Sequence, residues 1–289
     1  MPELPEVEVV KRSLTNFICN LSIKNVEIRE SNLRYKVKKE EINQIIGLKI
    51  VKIKRRSKYL LFFFTKGLVM IAHLGMTGKF FIINKKLIKK KTSFYYNIES
   101  LKDNKHNHII FTFKDKTKLI YNDIRKFGFF KFDTFQKLRE NKHLKFLGPE
   151  PLENIFNYKY FKNYIQGKKR YIKDLLMDQK FVSGLGNIYV NEVLFYSEVR
   201  PTRKINRLKD QEIMKILKNI KKILKKAISL GGSSIKNFSS STGKDGSFQQ
   251  HFGVYGKKGE DCSNADCRKK IKKIILSNRA SFFCLNCQK

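Results

Sequence analysis

The 289-residue chain has no tryptophan, only five prolines and only five cysteines. Acidic side chains are also short in supply, with 25 Asp and Glu against 62 Lys and Arg and a formal net charge of +37. Each shortage excludes something. The N-terminus is acidic rather than cationic and then apolar, so no secretory signal is expected and the protein reads as cytoplasmic. The most apolar stretch, YLLFFFTKGLVMIAHLGM, is broken by Thr65-Lys66-Gly67, which predicts two strands and a turn in place of a membrane span. Four of the five cysteines crowd the last 28 residues, whereas a disulfide framework would spread them, so the cluster points to metal. Cys19 stands alone after an apolar helical pattern and is expected to be a core thiol. The missing tryptophan, with heavy use of Lys, Ile, Asn and Phe, resembles the compositional drift of AT-rich genomes. Part of the positive charge is therefore drift, and the remainder makes a polyanion the first partner to consider. Hydrophobic residues at 41% suffice for a real core, and the length suits two ordinary domains or one large one.

Along the chain, Val7, Val10, Leu14 and Phe17 recur at spacings of three and four, which predicts a helix over 2–18. From about 22 to 132 the period changes to two. Short β-branched and aromatic runs (SIKNVEIRE, LKIVKIKRR, YLLFFF, LVMIAHL, KFFII, HIIFTFK, TKLIYN, FGFFKF) with turns between them predict an antiparallel sandwich or barrel. Residues 84–105 read as a lysine-rich loop, and LGPEPL at 147–152 as a linker. Residues 158–230 turn helical, ending in a long basic helix, and the Gly/Ser-rich segment 231–248 is expected to be mobile.

The tail carries Cys262-x4-Cys267-x16-Cys284-x2-Cys287. Two close pairs about 15–20 residues apart form a structural zinc pattern. Four thiolates close the tetrahedron and leave no open position for catalysis, so the metal pins a ribbon too small to fold on its own core. The intervening RKKIKKIILSNRASFF is basic, which suits a phosphate reader.

The chain opens MPELPEVEVV. Pro and Glu suit a helix N-terminus, where a missing N–H costs nothing and negative charge meets the dipole. That does not account for proline directly after methionine. Removal of Met1 would leave Pro2 with a secondary amine titrating near pH ~8, partly neutral and nucleophilic, that forms an iminium directly. Glu3 beside it can shuttle protons. Lys58 follows Arg55 and Arg56 at the start of a strand. Met76 sits on a Gly-Met-Thr-Gly turn, and Arg125 and Phe127 lie near another. A cation with apolar wedges can fill a gap left by a flipped base, although Met76 and Phe127 taken singly could be sandwich core. Gly-Leu-Gly-Asn at 184–187, ahead of an amphipathic helix, can hold a phosphate.

PELPEVE, KYL at 58–60, HLGM at 73–76, DIRKFG at 123–128, GLGNIY at 184–189 and NRASFFCLNCQK together resemble the bacterial formamidopyrimidine-DNA glycosylases, in order and over nearly the whole chain. The resemblance implies an α+β multidomain fold. Its parts are a catalytic β-sandwich with an N-terminal helix (1–134), a helical DNA-binding domain with a helix–two-turn–helix (135–248) and a zinc finger (249–289). It implies excision of oxidised purines from damaged double-stranded DNA, then strand nicking, by a monomer carrying one structural Zn2+. Carried over by position, Pro2 is the Schiff-base nucleophile and Glu3 its proton donor. Lys58 supports β-elimination and Arg279 δ-elimination. Met76, Arg125 and Phe127 fill the vacated stack, and His106, Lys168 and Asn187 contact DNA. The segment SSSTGKDGSF matches a loop that closes over the flipped base. Three departures stand out: the x4 cysteine gap where x2 is usual, Ile124-Arg125-Lys126 in place of Pro-Arg-Arg, and a longer 84–105 loop. The alternatives are an endonuclease VIII-like glycosylase for oxidised pyrimidines, against which Leu4 and Arg-Lys-Phe-Gly speak, and a non-catalytic nucleic-acid-binding zinc protein.

Overall fold

A computed structural model describes residues 1–84, 104–233 and 247–289. The long loop at 84–105 and the closing loop at SSSTGKDGSF thus lie almost entirely outside the described residues. The chain divides into two compact units, Met1–Lys145 with Leu230–Gln249, and Phe146–Ser229 with Gln250–Lys289. The 147–152 segment expected as a linker opens the second unit.

In the first unit, helix α1 (Leu4–Ile18) begins two residues later than its apolar periodicity suggests. Pro5 lies in its first turn, where an absent N–H breaks no helical bond. Val7, Val10, Leu14 and Ile18 form its buried stripe. Cys19 is not the expected core thiol. The helix stops at Ile18, so Cys19 becomes the extended C-cap residue, half-buried, with Sγ 3.6 Å from the carbonyl oxygen of Val51.

Two four-stranded antiparallel sheets follow. One has the order β2 (Ile50–Arg56), β3 (Tyr59–Phe64), β4 (Leu68–His73), β8 (Phe129–Thr134). The other runs β1 (Ile23–Ile28), β6 (Asn107–Phe113), β7 (Lys118–Asn122), β5 (Lys79–Ile83). The apolar run read as two strands and a turn is β3, a tight turn at Thr65–Gly67 and β4. A single core joins Leu60, Phe62 and Met70 of the first sheet, Phe80, Ile109, Phe111 and Tyr121 of the second, and the stripe of α1. Burial of each such side chain contributes about 1.5–3 kcal/mol. A short helix, α2 (Lys39–Asn43), anchors Ile42 in the same core.

The second unit holds α3 (Tyr158–Ile165), α4 (Ile172–Met177), α5 (Asn187–Tyr196) and α6 (Asp210–Ser229). Two successive turns over 178–186 join α4 to α5, giving the expected helix–two-turn–helix. The Gln179 side chain shapes them. Its amide accepts from Gly184 N–H at 2.8 Å and donates to the carbonyls of Met177 and Leu185. Ile188 to Phe195 are all buried, so α5 is the central helix, whereas α6 buries one apolar face and exposes its lysines. Beyond it, β9 (Lys272–Leu276) and β10 (Arg279–Phe283) form a hairpin. Its two-residue turn, Ser277-Asn278, has positive φ at both positions, as a type I′ turn requires.

Candidate active site and nucleic-acid interface

The N-terminus is held by an acidic side chain in the first turn of α1. Glu6 is buried at 6% exposure. Its Oε2 accepts from Glu3 N–H at 2.9 Å, and its Oε1 accepts from the N–H and hydroxyl of Ser233 at 2.9 and 3.0 Å. Glu6 is therefore an anchor. Glu3, the N-cap residue of α1, is itself buried, as is Pro2. A second tie comes from Glu8 on α1. It pairs with Arg55 of β2 at 3.0 Å, and Arg55 also donates to Ser57 O at 3.0 Å. That pair steadies the Ser57-Lys58 turn, where Ser57 takes a left-handed φ of 55° and Lys58 is buried just ahead of β3. Burial would raise the Glu8 carboxyl, but Arg55 and then Lys11 outweigh it and hold it below the usual range.

The α-amino group of Met1 reports the electrostatic surroundings of the chain's first residues. Burial, first of all, lowers its pKa below the ordinary 8.0. Glu3 and Glu6 oppose the shift, and Lys58 and Arg125 add to it. Four of the sequence-predicted side chains or their neighbours thus act electrostatically on one amine.

Met76 and Phe127 are not core residues. They are 38% and 41% exposed, on two adjoining turns. Arg125 lies between them, its Nη1 3.0 Å from Met76 Sδ and its guanidinium 4.5 Å from the centre of the Phe127 ring. Lys126 has φ of 55°, which turns the backbone so that both flanking side chains project outward. His106 is half-buried before β6, and its carbonyl accepts from Asp123 N–H at 3.1 Å. Sequence reading missed His73, whose only signal was its place in HLGM. Burial, then Lys58, Arg34 and His143, push it down to about 4. The ring is neutral at physiological pH, and Nδ1 accepts from Gly75 N–H at 3.0 Å.

The other predicted residues belong to the second unit. Lys168 is exposed after α3, with Nζ 2.5 Å from Tyr164 O and 3.5 Å from the centre of that ring. Asn187 opens α5, and its amide donates to Ala280 O at 3.0 Å. Lys173, also missed from sequence, is buried and donates to Ala280 O at 2.7 Å and Ser281 Oγ at 2.6 Å. Burial chiefly, with Arg279 adding and Asp174 opposing, lowers its pKa to about 8. These bonds dock β10 on the helices. Arg279 is exposed beside the hairpin turn and lines a cavity of about 420 Å3 with Arg170, Lys173 and Asp174.

Cys262, Cys267, Cys284 and Cys287 place their sulfurs within 4.8 Å of one another. The Cys262–Cys287 and Cys267–Cys284 separations are 3.8 and 3.6 Å. Tetrahedral Zn–S bonds of about 2.3 Å require sulfurs roughly 3.8 Å apart, so the set fits the ion. The wide first gap has a use: Asn264, inside it, aims its amide at Cys287 Sγ at 3.6 Å, as Asn286 does at Cys267 Sγ at 3.5 Å. Such donors steady thiolate ligands. Buried Glu192 of α5 accepts the backbone N–H groups of Gly253, Val254 and Tyr255, fastening the lead-in to this ribbon.

A terminal amine beside buried Pro2, set among acids and cations, a helix–two-turn–helix and a four-cysteine ribbon are the features of a DNA glycosylase with lyase character. The family model for the formamidopyrimidine-DNA glycosylase N-terminal domain matches residues 1–130, and that for the family's H2TH domain matches 147–239. The formamidopyrimidine-DNA glycosylase of Rickettsia massiliae is 37% identical over 100% of this chain and 97% of its own, and that of Rickettsia conorii 38% over 100% and 99%. Among solved structures, a complex between Lactococcus lactis Fpg and abasic-site DNA aligns with TM-score 0.86 at 35% identity over 99% of each chain. MutM bound to DNA containing carbocyclic 8-oxo-G aligns with TM-score 0.85 at 35% identity over the whole of both chains. The chain belongs to the formamidopyrimidine-DNA glycosylase family.

Proposed function

We propose that this protein excises oxidised purines, 8-oxoguanine and formamidopyrimidines, from duplex DNA and then nicks the strand by β,δ-elimination. The observation that carries the reading is the N-terminal amine beside buried Pro2, its pKa lowered first by desolvation and shaped further by Glu3, Glu6, Lys58 and Arg125. The substrate class follows the DNA in related complexes, carbocyclic 8-oxo-G with MutM and Fapy-dG with a Lactococcus lactis Fpg variant. In this scheme Met1 is removed and the neutral Pro2 amine attacks C1′. The N-glycosidic bond breaks, the base leaves with a proton, and Glu3 relays protons to the opening sugar. The iminium acidifies the C2′ proton, so the 3′ phosphate leaves and then the 5′ phosphate. Lys58 assists the first elimination and Arg279 the second. The acids at the amine offset the cations that a phosphate-binding surface otherwise brings to it.

Met76, Arg125 and Phe127 enter the space the flipped nucleotide leaves, while His106, Lys168 and Asn187 hold phosphates. Cys262, Cys267, Cys284 and Cys287 hold one zinc ion, which when bound stiffens the hairpin that presents Arg279. The working division of a monomer is then a catalytic sandwich (1–134), a helical DNA-binding part (135–248) and a finger (249–289). Among the described residues no helix is long and apolar enough to cross a membrane, and a cytoplasmic repair enzyme fits this reading.

Borohydride reduction on abasic DNA tests the scheme. A covalent adduct at Pro2 supports it, whereas an adduct at a lysine with Pro2 unmodified overturns the nucleophile assignment. Faster removal of thymine glycol than of 8-oxoguanine would move the substrate to oxidised pyrimidines. Arg125→Ala should flatten the preference among opposite bases, because a base-edge contact is worth about 1–3 kcal/mol. Equal loss opposite every base, with a smaller salt slope, would mark Arg125 as a phosphate contact.

Binding to an abasic-analogue duplex should weaken steeply with salt. Each neutralised phosphate contributes a slope of about −0.9 in log K against log salt, so roughly six contacts give a slope near −5. The formal charge of +37 would allow far more, which leaves most lysines on solvated faces. A slope shallower than about −2 would remove the electrostatic part of the reading, and one beyond roughly −10 would mean that the drifted lysines are engaged.

A further inference from the structure

Asp123 lies under the two exposed turns and has no exposure to solvent. Its Oδ1 accepts from the hydroxyl of Thr77, on the Met76 turn, and from Arg125 N–H at 3.3 Å. Its Oδ2 accepts from Tyr121 OH at 3.0 Å and from Gly128 N–H at 2.8 Å. Thr77 Oγ1 in turn accepts from Arg125 N–H at 3.1 Å. One carboxylate therefore grips the residue after Met76, the backbone of Arg125 and the residue after Phe127. The Asp123 carbonyl is fixed as well, 2.7 Å from Nε2 of buried His108.

The turns touch backbone to backbone. Gly75 has φ of +63°, and a Cβ there would lie 2.5 Å from Gly128 N. A Cβ on Gly128 would lie 1.7 Å from Tyr121 OH, so the phenol fills the space that glycine leaves open. At the far end of the Met76 turn, His73 Nδ1 holds Gly75 N–H. Met76, Arg125 and Phe127 stand on two chain segments nearly fifty residues apart in sequence (76 and 125–127). The tie that sets their mutual register is buried.

We propose that Asp123, braced by Tyr121 and Thr77, is the positioning residue that makes Met76, Arg125 and Phe127 enter DNA as one rigid wedge and so sets discrimination of the opposite base. This rests on the wedge role given to those three side chains above. Asp123 touches no reacting atom. Its effect runs through the backbone of the wedge.

The isosteric Asp123→Asn separates this role from simple space filling. Each carboxylate oxygen faces a backbone N–H, of Arg125 on one side and Gly128 on the other. An amide NH2 placed at either oxygen therefore sets donor against donor and releases one turn. Excision of 8-oxoguanine from duplex DNA should fall about tenfold, the loss expected when one arm of a buried charged hydrogen bond is broken. The preference among opposite bases should flatten as in Arg125→Ala. Borohydride trapping on single-stranded abasic DNA, which offers no duplex gap to fill, should stay within about twofold of the unaltered enzyme. Fluorescence of 2-aminopurine opposite an abasic analogue should report a less ordered orphaned base. Thr77→Val and Tyr121→Phe, which each remove one brace, should shift the preference in the same direction and decide the matter if Asp123→Asn does not fold.

Three outcomes separate the readings. Unchanged opposite-base preference in Asp123→Asn, with Arg125→Ala showing a flattened one, overturns the clamp and leaves the wedge standing. Unchanged preference in both overturns the wedge and the clamp with it. Equal loss on duplex and single-stranded DNA makes Asp123 a fold-stabilising residue only and also overturns the clamp.

Discussion

Capping Pro2 should abolish strand nicking and borohydride trapping, and replacing it should sharply reduce them, while DNA binding survives. A chain that keeps any residue ahead of Pro2 turns the secondary amine into an amide, whose lone pair is delocalised into the carbonyl and does not attack C1′. The proposed phosphate contacts lie elsewhere, so affinity for an abasic-analogue duplex should be preserved. Pro2→Gly keeps an amine but only a primary one. Nicking should fall about 100-fold, because the direct route to an iminium is lost and the ring no longer fixes the lone pair. Undiminished trapping in a chain with a blocked terminus would end the assignment.

The same amine predicts a pH profile. Only its neutral form attacks, so adduct formation should rise with pH and level off above the amine's pKa. Desolvation lowers the Met1 terminal amine below 8.0, and a Pro2 amine freed in the same surroundings should shift in the same direction, its midpoint falling under that of a free α-amino group. The neighbours give the sign of further shifts. Glu3 and Glu6 raise the value, so Glu3→Gln should move the midpoint down. Lys58 lowers it, so Lys58→Gln should move it up. Glu3→Gln should in addition slow the plateau by about 10²–10⁴-fold, the usual worth of a positioned proton shuttle. A midpoint unmoved by either change would show that the reacting amine is not at the N-terminus.

The strands were legible as short apolar runs bounded by turns, buried almost throughout in β3, β4 and β6, and α1 because Val7, Val10 and Leu14 keep a helical spacing. The candidate site stood out in the sequence where a residue type is unusual for its position: proline after methionine, methionine between glycines, four thiols in two pairs. What escaped were residues that act through partners distant in sequence. Glu6 looks like any acid in a helix's first turn until Ser233 closes on it. Lys173 reads as one more lysine in a chain full of them, and only the backbone of β10 makes it a buried strut. Asp123 looks like a turn former. Its four donors come from Thr77, Tyr121, Arg125 and Gly128, a set that no local pattern announces. Cys19 went the other way, because the helical pattern that suggested burial ends one residue earlier.

Loss of zinc should unfold the finger and cripple DNA binding while the sandwich stays folded. The ribbon has little apolar support: Val254, Ile271, Phe282 and Phe195 pack around the cysteines themselves. A structural zinc ion in so small a unit supplies about 10–16 kcal/mol of apparent binding free energy, which is folding energy for the segment it pins. Cys267→Ser removes a thiolate and leaves three, so stoichiometric metal should be lost. The β9–β10 hairpin carrying Arg279 would then lose its fixed presentation, and affinity for duplex DNA should drop at least about tenfold. The sandwich core draws on residues between Val7 and Phe130 and on no cysteine of the tail, so its cooperative unfolding transition should persist. Asn264→Ala should give a milder result, with metal retained but released faster to a chelator, since it removes only an N–H donor to Cys287. Metal analysis of the unaltered protein should find one zinc per chain. Its absence from protein that still binds DNA tightly would refute the site, and collapse of the sandwich together with the finger in Cys267→Ser would refute the separation of their cores.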